Sequence, residues 1–270
     1  MKRWSPLVLA TIPALILSLT ACGGKKKAPR PADKPAAAPV AKEVTVDDAT
    51  KGVLTAEYRT YDDKNACWLA KTADGEYCMT ANKVSTTFRD LAKTKLTYVM
   101  LESKGKMVNG APDATAEGGV GLFLINQADN SIVAKMPFAK AWDKGSVEHT
   151  LMQMPLGKEL EGLYVYDTVK KDDITEIRKL KIFGLDGRHF HQMMDIRITW
   201  ADNSNKAEIN RSGTNVTSED AASGEYKTII LKTSGYQKAK SFEEKMFQVP
   251  FNKTRHQYDV PVEYRRLMGE

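Results

Sequence analysis

Four histidines and eleven methionines are the residues to weigh first, because imidazole and thioether together suit copper. His189-Phe190-His191 sets two imidazoles on one face of a strand, with Met193 in register beyond them. Met152 and Met154 form a second alternating pair, while His149 and His256 stand apart in sequence. His189, His191 and Met193 are therefore the candidate metal ligands. The competing expectation is structural, since Met fills cores and His is common on exposed strands. Spacing supplies no third and fourth ligand, so the pattern by itself assigns no metal.

Hydrolytic chemistry has less to stand on. The chain carries neither a G-x-S-x-G elbow nor an H-E-x-x-H pair. Ser103-Lys104-Gly105-Lys106 fits the S-x-x-K of penicillin-binding enzymes in form only. It follows an expected strand and contains a Gly, whereas that nucleophile sits on a helix. Gly118-Gly119-Val120-Gly121 precedes a strand, the wrong order for a phosphate-binding loop. The carboxylate pairs Asp47-Asp48, Asp62-Asp63 and Asp172-Asp173 fall at expected turns and caps. Trp142, Tyr164, Tyr166, Trp200, Tyr258 and Tyr264 would either line a glycan or peptide surface or pack in a core. The sequence thus predicts no catalytic residue, no cofactor and no enzyme activity.

Cys67 and Cys78 are expected to form a disulfide. The spacing places them opposite each other across a hairpin centred between Thr72 and Ala73, with Ala70 facing Gly75 and a loop over Lys71 to Asp74. A two-residue Asp74-Gly75 turn would instead set Lys71 opposite Cys78 and exclude the bridge. By chain entropy, a loop this short stabilises by about 2–3 kcal/mol. A redox pair would need C-x-x-C spacing, which is absent.

The elements that must position these residues read mostly as strands. Expected strands are Val53–Thr60, Cys67–Lys71, Tyr77–Thr80, Lys95–Glu102, Val120–Asn126 and Ile132–Phe138. The second half adds Leu163–Val169, Met193–Trp200, Lys206–Asn210, Tyr226–Lys232, Met246–Phe251 and Gln257–Tyr264. Leu122-Phe123-Leu124-Ile125 is apolar on both faces, as a central strand requires. Ile196, Ile198 and Trp200 alternate with Asp195, Arg197 and Thr199. Two short helices are expected. One follows a capping box at Asp173-Ile174-Thr175-Glu176 and stops at Gly184; the other covers Ser85–Lys93. Loops are expected at 106–118, 184–189 and 211–224. The segments Ile125–Ser131 and Ile198–Ser204 share I-x-x-A-D-N-S, which turn chemistry explains without a duplicated module. The expected fold is mainly β, a sandwich with one to three short helices. It is built as one large or two small β-modules, with a sub-boundary near 140–160.

Charge is divided unevenly. The whole chain has 40 Lys+Arg against 34 Asp+Glu, but residues 44–270 hold 32 of each. The basic pI of about 9.0 thus comes from the first 43 residues. A neutral domain lacks the basic footprint of a nucleic-acid binder, so no nucleic-acid partner is expected.

Those first residues read as an address. Lys2 and Arg3 precede the apolar stretch Pro6–Leu19, too short for the ~20 residues of a membrane-spanning helix. It ends in Leu19-Thr20-Ala21-Cys22-Gly23-Gly24. This resembles the bacterial lipoprotein signal, with a Leu three residues before Cys and small residues between. The resemblance covers about 23 residues. It implies cleavage after residue 21, a diacylglyceryl group on the Cys22 sulfur and acylation of the new amine. Two or more chains hold stably on a bilayer where one holds only marginally. Gly23, rather than Asp, after the lipidated Cys implies the outer membrane, with the domain facing the periplasm. Residues 22–43, rich in Pro, Ala and Lys, form a tether reaching roughly 65 Å as polyproline II. Lys25-Lys26-Lys27 lies where it would meet anionic headgroups.

The sequence therefore predicts three parts: a leader over 1–21, the lipidated Cys22 with its tether over 22–43, and a β-rich domain over 44–270. The expected function is non-catalytic binding of an envelope protein or glycan, or help in envelope assembly. A periplasmic copper- or zinc-handling protein, or an enzyme with a site of scattered His, Met and carboxylates, is the alternative.

Overall fold

The computed structural model describes residues 44–85, 95–157, 160–170, 175–202, 210–221, 224, 226–238 and 240–270. Helix α1 (Asp48–Tyr58) leads into β1 (Tyr61–Asp62), β2 (Cys67–Thr72), β3 (Gly75–Ser85) and β4 (Leu96–Val108). Then come β5 (Ala111–Asp113), β6 (Gly118–Asn126) and β7 (Ile132–Trp142). These strands make one antiparallel sheet in the order β1-β2-β3-β4-β6-β7, with β5 on β4. A second sheet is an unbroken meander of β8 (Ser146–Pro155), β9 (Glu161–Lys170), β10 (Thr175–Asp186), β11 (His189–Asp202), β12 (Asn210–Glu219), β13 (Thr228–Gln237) and β14 (Lys240–Val249). The ribbon β15 (Phe251–Asn252) and β16 (Gln257–Tyr258) and the short helix α2 (Val262–Leu267) close the chain. The protein is mainly β, as expected, with two short helices among the described residues.

The strand period of two builds the layers. Leu96, Tyr98 and Met100 on β4, with Val120, Leu122 and Leu124 on β6, meet Leu163, Val165, Phe183 and Phe190 of the second sheet. The alternate residues Val99, Leu101, Phe123 and Ile125 face the other way, against Leu54 and Tyr58 of α1. Burial on both faces is what the unbroken apolar run in β6 demands. On the far face of the second sheet, Tyr164, Leu180, Ile182, Ile196, Ile198 and Leu231 are covered by Tyr258, Tyr264 and Met268. A sandwich thus carries α1 on one outer face and the C-terminal segment on the other. The chain passes from one sheet to the other at residues 143–145.

Several elements depart from the expected ones, each for a physical reason. Val53–Thr60 is largely helix: Thr50, Leu54 and Tyr58 are buried at four-residue spacing, and Asp47 Oδ1 accepts from the Thr50 N–H at 2.7 Å. Asp47 is therefore the cap that its pairing with Asp48 suggests. The helix expected up to Gly184 is instead strand β10. Ile177 and Leu180 sit three apart, yet they belong to opposite faces of a strand covered on both sides, which imitates helical spacing. Residues 211–219 are strand rather than loop, because β12 buries hydrogen-bonded polar groups: Thr214 Oγ1 lies 2.9 Å from Thr233 Oγ1. Part of the 106–118 loop is a hairpin turned by Asn109 (φ 52°) and Gly110 (φ 78°), the left-handed pair that an Asn-Gly turn supplies. The 184–189 loop shrinks to Gly187-Arg188. Gln257–Tyr264 is two strand residues followed by α2. Strand β8 has no counterpart among the expected strands. The Ile125–Ser131 echo is a turn in which Asn126 Oδ1 accepts from Ala128 N–H and Asp129 Oδ1 from Ser131 N–H. The helix expected from Ser85 and the strand from Lys206 fall mainly on 86–94 and 203–209, outside the described residues.

Candidate functional site

Cys67 and Cys78 are bonded and fully buried, with Cα atoms 5.4 Å apart. The register differs from the expected one. Thr72 faces Gly75 and Leu69 faces Cys78, so the turn is Ala73-Asp74 and the bridge runs diagonally. The bridge and a two-residue turn coexist because diagonal neighbours on one face come within disulfide reach. Cys22 lies outside the described residues.

The candidate metal residues separate. Met193 is fully buried in the core, whereas His189 is exposed and His191 half-buried. Their rings lie 6.2 Å apart, and His191 stacks instead on His256, 65 residues away in sequence, with centroids 5.1 Å apart. Met152 and Met154 lie on β8, in the edge strand. No group of three or more His, Cys, Asp or Glu side chains among the described residues is arranged to hold a metal ion. Of the six aromatic candidates, Trp142, Tyr164, Tyr258 and Tyr264 are buried, and only Tyr166 and Trp200 are half-buried. The rings are core.

Ionic groups seal the end of the sandwich where β7 gives way to β8. Glu117 binds Lys140 at 2.6 Å and Lys106 at 3.6 Å; Asp143 binds Lys140 at 3.4 Å and Lys179 at 2.6 Å. The hydrogen bond from Lys140, with a second from the Tyr77 hydroxyl, holds Glu117 below the usual carboxylate range. Burial works against ionisation at Asp143, but Lys179, Lys181 and Lys140 outweigh it and its pKa is lowered. Asp167 beneath them behaves oppositely. It is 1% exposed, its Oδ2 accepts a long bond from the Asp143 N–H at 3.4 Å, and its buried Oδ1 has no partner. Burial pushes its pKa up, against the Ser146 hydroxyl and the Asp143 amide.

The remaining feature is an edge. A sheet edge presents unpaired N–H and C=O groups, which natural proteins usually blunt. Three of the four end strands of the two large sheets are short or charged. Strand β1 has two residues. Strand β7 carries Pro137, Lys135 and Lys140. Strand β14 carries Lys240, Glu243, Glu244 and Lys245, and its register breaks opposite Thr233 and Gly235. Among the described residues strand β8 pairs with β9 alone; it bulges between Ser146 and Glu148, keeps regular register from Glu148 to Pro155 and has a single charged residue in that run, Glu148. Eight strand residues span about 27 Å.

Inward side chains hold β8 firmly. His149 stacks on Trp142, with centroids 4.0 Å apart and planes within 6°, and its Nε2 lies 2.7 Å from Glu102 Oε1. Leu151 packs into the inter-sheet core, and Gln153 accepts a hydrogen bond from the Lys83 ammonium on β3. Outward, Val147 is 58% exposed and Met152 45% exposed. The result is a weakly charged strand with one side unpaired among the described residues and the exposed apolar residues Val147 and Met152.

No family model, curated protein or solved structure matches the chain. Among the described residues no helix is long and apolar enough to cross a membrane.

Proposed function

We propose that this is a lipid-tethered protein of the bacterial envelope whose β-domain binds an extended segment of a partner protein along β8, without catalysing a reaction. What supports this reading is the β8 edge, regular over Glu148–Pro155 with one carboxylate, beside edge strands β1, β7 and β14 that are shorter or more highly charged. Strand addition gains main-chain hydrogen bonds along the edge, while side-chain pockets select the sequence. Val147 and Met152 offer such apolar contacts. Burial of four of the six aromatic candidates favours a protein partner over a glycan. The lipobox resemblance at Cys22 supports the anchor, and the Pro/Ala/Lys tether supports a domain held off the outer membrane on its periplasmic side.

The test is the size of the native assembly extracted from envelopes in mild detergent. Val147→Lys with Met152→Lys places two charges beside the free edge at exposed positions, where folding tolerates them. The expected result is loss of a larger species present with the unaltered protein and with Met246→Lys on β14. An assembly equally sensitive to the β14 change would refute the assignment to β8.

A further inference from the structure

Helix α2 and strands β13 and β14 leave a cleft of about 470 Å³ between them. Its apolar lining is Phe247 of β14, half-buried, and Leu267 of α2, buried. Phe247 is steadied by Tyr264, which meets its ring edge-on with centroids 5.5 Å apart and whose hydroxyl donates to the Arg197 carbonyl. The polar lining is Gln237, Lys245, Glu263 and Arg266. Neighbouring Arg265 is engaged by Glu270 at 2.6 Å. Among the described residues, by contrast, neither Lys245 nor Arg266 forms an ion pair, with Glu263 or with any other carboxylate.

We propose that this cleft binds a small amphipathic monoanion, a single aliphatic chain ending in a carboxylate. The tail lies against Phe247 and Leu267, where apolar surface leaves water, and the head reaches Lys245 and Arg266. The arginine fork meets a carboxylate through two parallel N–H···O bonds, and the lysine supplies a compact charge beside it. The Gln237 amide adds a neutral donor. Charge balance selects the head group. Lys245 and Arg266 against Glu263 leave one net positive charge on the lining, which one carboxylate neutralises. A dianionic phosphate would leave surplus negative charge beside Glu263. The volume is that of a small-molecule site. Strands β14 and β8 are the two ends of the second sheet, so a ligand here does not compete with strand addition along β8.

Calorimetric titration of the full chain with decanoate tests this, with decanol as the neutral probe and decyl phosphate, at about pH 8, as the dianionic one. Decanoate should bind at one saturable site, about 10-fold or more tighter than decanol, because a hydrogen bond to a charged group is worth about that factor. Lys245→Gln with Arg266→Gln should erase the preference and leave decanol binding unchanged. Both positions are exposed, and an unaltered thermal midpoint confirms the fold. Glu263→Gln should narrow the gap between decanoate and decyl phosphate; an unmoved gap contradicts the charge balance. Absence of saturable decanoate binding, equal affinity for decanol, decanoate binding that survives the double substitution, or a preference for decyl phosphate in the unaltered protein overturns the site.

Discussion

Asp167 and the Cys67–Cys78 pair show how a side chain's surroundings set its effect on stability. Asp167 has a raised pKa, so its favourable contribution is complete below the ordinary carboxylate value of about 3.8 and is lost as pH rises through the folded-state value. Asp167→Asn keeps the shape and removes the charge. Its urea midpoint should therefore exceed that of the wild type at neutral pH and match it near pH ~4. The disulfide works through the unfolded chain: Cys67→Ala with Cys78→Ala should lower the unfolding free energy by about 2–3 kcal/mol. Both sulfurs are buried, so mild reductant should leave the native bridge intact until the protein unfolds. The bridge is legible in the sequence because it is local. The contact between His191 and His256 is not, since it joins residues 65 positions apart through tertiary docking alone.

At the scale of elements, legibility follows burial. Strand β6 is evident from Leu122 to Ile125 because both of its faces are dry. The same double cover disguises β10, where Ile177 and Leu180 mimic a helix, and polar partners disguise β12. Helix α1 hides its period behind β-branched residues, although Leu54 and Tyr58 are four apart. Leu54 is fully buried between α1 and the first sheet, so Leu54→Ala should cost about 2–5 kcal/mol in denaturant titration. Tyr264 fastens the opposite outer layer, its hydroxyl donating to the Arg197 carbonyl at 2.6 Å and meeting Thr214 Oγ1 at 3.1 Å. Tyr264→Phe keeps the ring and should cost about 1–2 kcal/mol. The edge role of β8 escapes sequence reading for a different reason. Being an edge depends on which strands do not pair with it, and composition carries no such information.

The whole molecule combines formally neutral residues 44–270 with a basic stretch over residues 1–43, the proposed leader and tether. That division suits a domain that is positioned by its N-terminus and recognises partners by shape and main-chain pairing rather than by net charge. Cys22→Ala should move the protein from the membrane fraction to the soluble one. Intact-mass analysis of the native protein should find a chain starting at Cys22 and carrying two or three acyl chains; an uncleaved, unmodified N-terminus would remove the anchor from the account.

Partner engagement along β8 is tested most directly by a photo-crosslinking side chain placed at Met152 in living cells, with Met246 on β14 as the matched exposed edge position. Position 152 should give one discrete adduct of defined mass, abolished by Val147→Lys, and position 246 none. Equal, diffuse labelling from both positions, or an adduct from 246 alone, would contradict it.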